Sequence, residues 1–79
     1  MKTVYILQSQ NFTDRHYAGL TDDIETRLAD HNDGKSPHTA KFRPWNLRVA
    51  IVFDDDNRAF AFERYLKSGS GRAFAKKHF

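Results

Sequence analysis

A chain of 79 residues without a single cysteine has only packing to hold it together. Neither a disulfide framework nor a thiolate metal site is available, so the fold must bury a core of its own. This length leaves room for one domain, expected to occupy residues 1–79. Hydrophobic residues make up 39% of the chain, and seven phenylalanines carry much of that area, enough for a compact globule. No apolar run approaches the roughly 20 residues that span a bilayer, and no long apolar stretch follows Met1-Lys2-Thr3. A secreted miniprotein, a membrane protein and a disordered tail are poor fits, and a cytoplasmic location is expected.

Thirteen basic residues against ten acidic ones leave a net charge of +3, but their distribution says more than the total. Between Gly34 and Phe53 there is no acid, while Lys35, Lys41, Arg43 and Arg48 all fall there. After Glu63 there is again none, against Arg64, Lys67, Arg72, Lys76 and Lys77. Two acid-free stretches in one small globule can build a positive face, which suits a polyanion such as nucleic acid.

Local patterning predicts the elements. Thr3–Gln8 reads as a strand, Ser9–Arg15 as a polar turn and His16–Leu20 as a second strand, together a hairpin. A helix is expected over about Asp22–Asp33, with Asp22 as N-cap, Glu25 completing a capping box and Gly34 ending it. Lys35–Pro44 is a basic loop, and Leu47–Phe53 is the most strand-like run in the chain. Asp54-Asp55-Asp56 opens a second helix to about Lys67, its acids complementing the helix dipole. Ser68-Gly69-Ser70-Gly71 is read as a break before a short terminal helix. The order ββαβαα describes a small α/β or α+β layered domain.

Polar residues stand where the helical period calls for apolar ones. At about 100° per residue, Arg27 and His31 fall within about 60° of Ile24 and share its inward face with Leu28. On the second helix Glu63 lies inside the arc of Ala59, Phe62 and Leu66. A carboxylate in such a place is costly unless paired, hydrogen-bonded or bound to a metal. A structural Arg27–Glu63 ion pair accounts for two of the three groups and leaves His31 over. A site on the sheet face beneath the helices, needing a cation, a carboxylate and an imidazole, accounts for all three. Tyr5 and Tyr17 add two phenols in mid-strand.

At these residues the chain resembles the GIY-YIG nuclease superfamily, in particular its small stand-alone members. The first motif stands as Val4-Tyr5-Ile6 and the second as Tyr17-Ala18-Gly19, with Arg27 eight residues further and His31 one turn beyond. Asn32–Gly34, Thr39, Arg43-Pro44-Trp45, Glu63 and Leu66-Lys67 match as well, so the likeness covers nearly the whole chain. It implies a three-stranded antiparallel sheet flanked by helices, and hydrolysis of DNA phosphodiester bonds with one Mg²⁺ or Mn²⁺ ion. Carried over to this chain, Glu63 is the metal ligand and Arg27 contacts the scissile phosphate. Tyr5 lies at or beside the attacking water, Tyr17 orients phosphate or water, and His31 assists proton transfer.

These roles suit the residue types. A hard cation on a lone carboxylate, with water in its other positions, neutralises phosphoryl and leaving-group charge. Arginine bonds two phosphate oxygens at once, which lysine cannot do. Histidine titrates nearer neutrality than tyrosine, and the base role stays open between His31 and Tyr5. The chain departs from the superfamily pattern at Val4 for the first glycine, at Leu20 where several members carry lysine, and near Ala75 where some carry asparagine. Lys41, Arg43 and Lys67 are candidates to replace the missing phosphate-side cation. The expected DNA-binding set is Lys35, Lys41, Arg43, Lys67 and Arg72, with weak or structure-selective specificity. The alternative is a module of the same fold that binds nucleic acid or a protein partner without turnover.

Overall fold

In a computed structural model that describes residues 1–79, the continuous apolar run Val4-Tyr5-Ile6-Leu7 lies in the central strand, β1 (Lys2–Ser9). Such a run suits a strand covered on both faces, and all four residues are at least 95% buried. β2 (His16–Thr21) and β3 (Trp45–Phe53) flank it antiparallel in the order β2-β1-β3. The helices are α1 (Ile24–Asn32), α2 (Asp56–Leu66) and α3 (Gly69–His78), with a single 3₁₀ turn at Ala40–Phe42. The chain is therefore an α+β fold of order ββαβαα around a three-stranded antiparallel sheet.

Alternation along β1 sorts the core into two halves. Val4 and Ile6 pack with Ala59 and Leu66, joined by Ala18, Leu20 and Phe62. Tyr5 and Leu7 pack with Trp45 on the other face, joined by Tyr17, Ile24 and Leu28. So α2 and α1 cover opposite faces of the sheet, where the sequence pattern pointed to one shared face. Leu20 and Ala75, two of the departures from the superfamily pattern, are packing residues of the α2 half.

Local chemistry sets the element ends. Asp23, one residue later than expected, caps α1: its carboxylate accepts from Thr26 N and from the Thr26 hydroxyl, while Asp22 pairs with Lys2. Gly34 follows α1 at φ +79°, a conformation that disfavours any side chain. Asp55 caps α2 by accepting from Asn57 N and Arg58 N. The expected break falls at Lys67–Ser68, and α3 already opens within the Ser68–Gly71 segment. Ser68 accepts from Gly71 N, and α3 begins at Gly69. A side chain on Gly71 would overlap the backbone of Tyr65 and Leu66, so glycine allows α3 to turn tightly off α2.

Trp45 anchors the start of β3. Its indole N–H donates to Thr39 O at 2.8 Å, and the Asn32 side chain both accepts from Trp45 N and donates to Trp45 O. A register shift in the β1–β3 ladder leaves Arg48 as the extra residue opposite Ile6/Leu7, and its guanidinium donates to Phe79 O and Gln8 Oε1.

Candidate active site

Five of the fourteen buried residues are polar, and three of these, His31, Ser36 and Thr39, join Tyr5 in one connected cluster. The period of α1 carries His31 inward onto the face of β1 that bears Tyr5. There the Tyr5 hydroxyl and His31 Nε2 are 2.9 Å apart, both residues almost wholly buried. His31 Nδ1 meets Thr39 Oγ1 at 2.6 Å. Arg27, one turn before His31 and half-buried, sets its positive charge near the Tyr5 hydroxyl. Tyr17 completes the group from β2, its ring 5.0 Å from that of His31 and 6.4 Å from that of Tyr5.

Glu63 approaches from the other layer. α2 packs against β2 as well as β1, and β2 is the edge strand, so α2 side chains reach round that edge. Lys67 lies over the Tyr17 ring, 5.8 Å from its centroid, and its ammonium is 2.5 Å from Glu63 Oε2. The negative charge of Glu63 is felt at Tyr5. Glu63 is half-buried and paired with Lys67; no ion pair joins it to Arg27. The structural Arg27–Glu63 bridge is thus absent, because the two residues belong to opposite faces of the sheet.

The environment separates the two proton-carrying groups. Burial pushes the Tyr5 phenol above its ordinary value, against the lowering effect of Arg27. Burial, aided by the positive charge of Arg27, holds His31 below the usual imidazole range, with Asp30 acting weakly the other way. Near neutral pH the proton therefore rests on Tyr5 and His31 is neutral. A stability consequence follows from linkage. Because the folded-state pKa of His31 lies below the unfolded value of 6.5, the unfolded chain takes up the proton first. Folding stability should fall as pH drops from about 6.5 toward the folded pKa and level off below it. Urea midpoints measured from pH 7.5 to 5 should show this slope in the wild type and a shallower one in His31→Asn.

A groove on the α2 face of the sheet, floored by Ile6, Ala18, Leu66 and Ala75, has Tyr17 and Lys67 in its wall; Tyr5, Arg27, His31 and Glu63 do not line it. Of the expected DNA-binding residues, Lys67 and Arg72 line it. Lys35 instead pairs with Asp30, Lys41 lies over the Phe42 ring, and Arg43 packs across Gly34. Arg48 and Lys76, from the two acid-free stretches, also line the groove, together with Arg15, His16 and His38, which the sequence pattern did not point to. Their distances along the chain follow no single period, so only the fold gathers them. Two residues that the resemblance matched without giving them a role have one in the fold. Thr39 sits in an aperiodic loop, and Gly19 is needed because a side chain there would overlap the Tyr5 ring and hydroxyl.

Residues 1–77 match the family model described as the GIY-YIG catalytic domain. The UPF0213 protein YsiG of Lactococcus lactis subsp. lactis is 42% identical over 64 residues, which is 80% of this chain and 60% of that protein. A UPF0213 protein of Bacillus licheniformis is 42% identical over 52 residues, covering 65% of this chain and 54% of its own. A third, from Streptococcus pyogenes serotype M5, is 34% identical over 71 residues, or 89% and 75% of the two chains. The chain thus spans about 60% of the length of its Lactococcus relative.

Proposed function

The chain belongs to the GIY-YIG family, and on that premise we propose that it is a divalent-metal-dependent endonuclease acting on DNA with weak or structure-selective specificity. The observation that carries this reading is the buried Tyr5–His31 pair with Tyr17 and Arg27 beside it, and a half-buried Glu63 linked to Tyr17 through Lys67 and making no ion pair with Arg27.

The donor set suits magnesium or manganese. Glu63 offers one hard carboxylate that is 21% exposed, and Mg²⁺ commonly keeps several waters and binds through one or two carboxylates plus phosphate. When bound, the ion would supply neutralisation of charge on the phosphoryl and leaving oxygens. The chain's own residues account for the rest. Arg27 clamps phosphoryl oxygens with its planar donors. Tyr17, at the groove wall, orients the phosphate or the attacking water. Tyr5 gives its phenolic proton to His31 Nε2 and takes one from the water, so the buried imidazole acts through the phenol instead of touching water itself. Lys67 stands as the phosphate-side cation in place of the lysine absent at Leu20. Of the three candidates for that role, only Lys67 lies beside both Glu63 and Tyr17.

Nicking of supercoiled plasmid and of branched DNA with Mg²⁺ or Mn²⁺, against a chelator, tests the proposal, with Glu63→Gln as the matched variant. Metal-dependent cleavage lost in the variant is expected. Equal, salt-sensitive DNA binding by both proteins without cleavage in any metal would replace the enzyme with a binding module of the same fold. For Lys67 the expected result is narrower. Lys67→Met should weaken DNA binding and reduce the slope of log affinity against log salt by about 1, read by fluorescence anisotropy in chelator.

A further inference from the structure

We propose that Thr39 is a positioning residue which fixes buried His31 in its Nδ1–H tautomer, so that Nε2 is held free to accept the proton of Tyr5. The inference deepens the nuclease reading and rests on it only for its consequence in catalysis; the tautomer itself is a property of the folded chain.

Hydrogen-bond bookkeeping along the buried chain gives the direction. The Tyr5 hydroxyl is buried, and the nearby Arg27 guanidinium carries donors only, so the phenolic proton must find its acceptor elsewhere. Its one acceptor in the structure is His31 Nε2, 2.9 Å away. Neutral imidazole then carries its proton on Nδ1 and donates to Thr39 Oγ1 at 2.6 Å. The Thr39 hydroxyl in turn points to Ser36 O, a long contact of 3.5 Å. Every proton in this arrangement has an acceptor. In the reverse arrangement Thr39 donates to Nδ1 and Nε2–H donates to Tyr5, leaving the phenolic proton of a residue 1% exposed with no acceptor. Leaving a buried donor unpaired is the more costly choice.

Position supports the same role. Thr39 is fully buried, its carbonyl accepts the Trp45 indole N–H at 2.8 Å, and its amide donates to Ser36 O at 3.2 Å. The backbone that carries the hydroxyl is therefore tied down on both sides. Thr39 touches neither the groove nor Glu63, so its effect on any reaction passes through His31.

Long-range ¹⁵N–¹H NMR of the His31 ring reads the tautomer without any substrate. Wild type and Thr39→Ser should both show Nδ1–H. Thr39→Val, which keeps the branched shape and removes the acceptor, should move the ring toward Nε2–H. Tyr5→Phe should leave the Nδ1–H form in place, because without the phenol an Nε2–H would have no acceptor while Nδ1–H still has Thr39 Oγ1; this variant also reads the ring if Thr39→Val does not fold. An Nε2–H ring in the wild type, an unchanged ring in Thr39→Val, or a flipped ring in Tyr5→Phe would each overturn the proposal. In cleavage, Thr39→Val should lower kcat about 10- to 100-fold with KM little changed, and Thr39→Ser should restore it. The Nδ1–H ring and its Thr39→Val response in a protein that cuts no DNA would uphold Thr39 and reject the nuclease, so the two failures are told apart.

Discussion

Gly19→Ala is expected to cost about 100-fold in cleavage and about 1–3 kcal/mol in stability, although the change adds only one methyl group. Gly19 lies directly opposite Tyr5 in the β1–β2 ladder and is itself buried. A Cβ there would overlap the hydroxyl and the adjoining ring atoms of Tyr5. An exposed tyrosine would swing aside at small cost. Tyr5, at 1% exposure, is hemmed in by His31, Arg27 and Tyr17 and has nowhere to go. The strand or the phenol must shift, and a displacement of an ångström is enough to spoil a proton path 2.9 Å long. Gly69→Ala is the control, since nothing lies within 4 Å of a Cβ at that position. It should leave cleavage unchanged and stability equal or slightly higher. Plasmid nicking and urea unfolding of the two variants supply both readings. Full activity in Gly19→Ala would mean that the position of the Tyr5 hydroxyl does not limit the reaction.

The Gly19–Tyr5 contact also shows what the sequence could and could not disclose. Strands, helices and their order are local matters, and the apolar run of β1, the aspartate caps and Gly34 announce them. The errors are local too: Asp23 outcompetes Asp22 for the α1 cap because it binds Thr26 twice, while Lys2 across the sheet claims Asp22. The break between α2 and α3 is where Ser68–Gly71 points to it, but α3 opens inside that segment, and Gly71 is present because the α2 backbone leaves no room for a side chain. For the site, helical period turned Arg27, His31 and Glu63 inward, and that part was legible. The period does not say which face of a sheet a helix covers. That depends on strand order, and with β2 at the edge the α2 side chains join a cluster built on the opposite face. Thr39 and the groove cations have no period at all, so only the closed fold brings them into place.

Glu63→Gln should reduce metal-dependent cleavage by about 10³-fold or more while changing stability by less than about 1 kcal/mol. The first figure reflects loss of the one carboxylate available to a divalent ion in this cluster, since several kcal/mol of transition-state stabilisation travel with that ion. The second follows from what Glu63 touches. Its partner is Lys67, four residues on along α2 and 50% exposed, and such pairs contribute a few tenths of a kcal/mol. A carboxylate buried against Arg27 would behave differently: removing its charge would strand the guanidinium and cost about 3–5 kcal/mol. The two measurements therefore separate the readings that the inward-facing Glu63 first raised. Loss of cleavage with a near-native urea midpoint assigns Glu63 to the metal. A large fall in stability would return it to architecture, through an interaction with Arg27 that the fold does not form. DNA binding in chelator should stay the same or tighten slightly, because glutamine frees Lys67 and removes a negative charge beside the groove. Weaker binding in the variant would mean that Glu63 orders Lys67 for the phosphate, and that the Glu63–Lys67 pair acts on DNA as a unit.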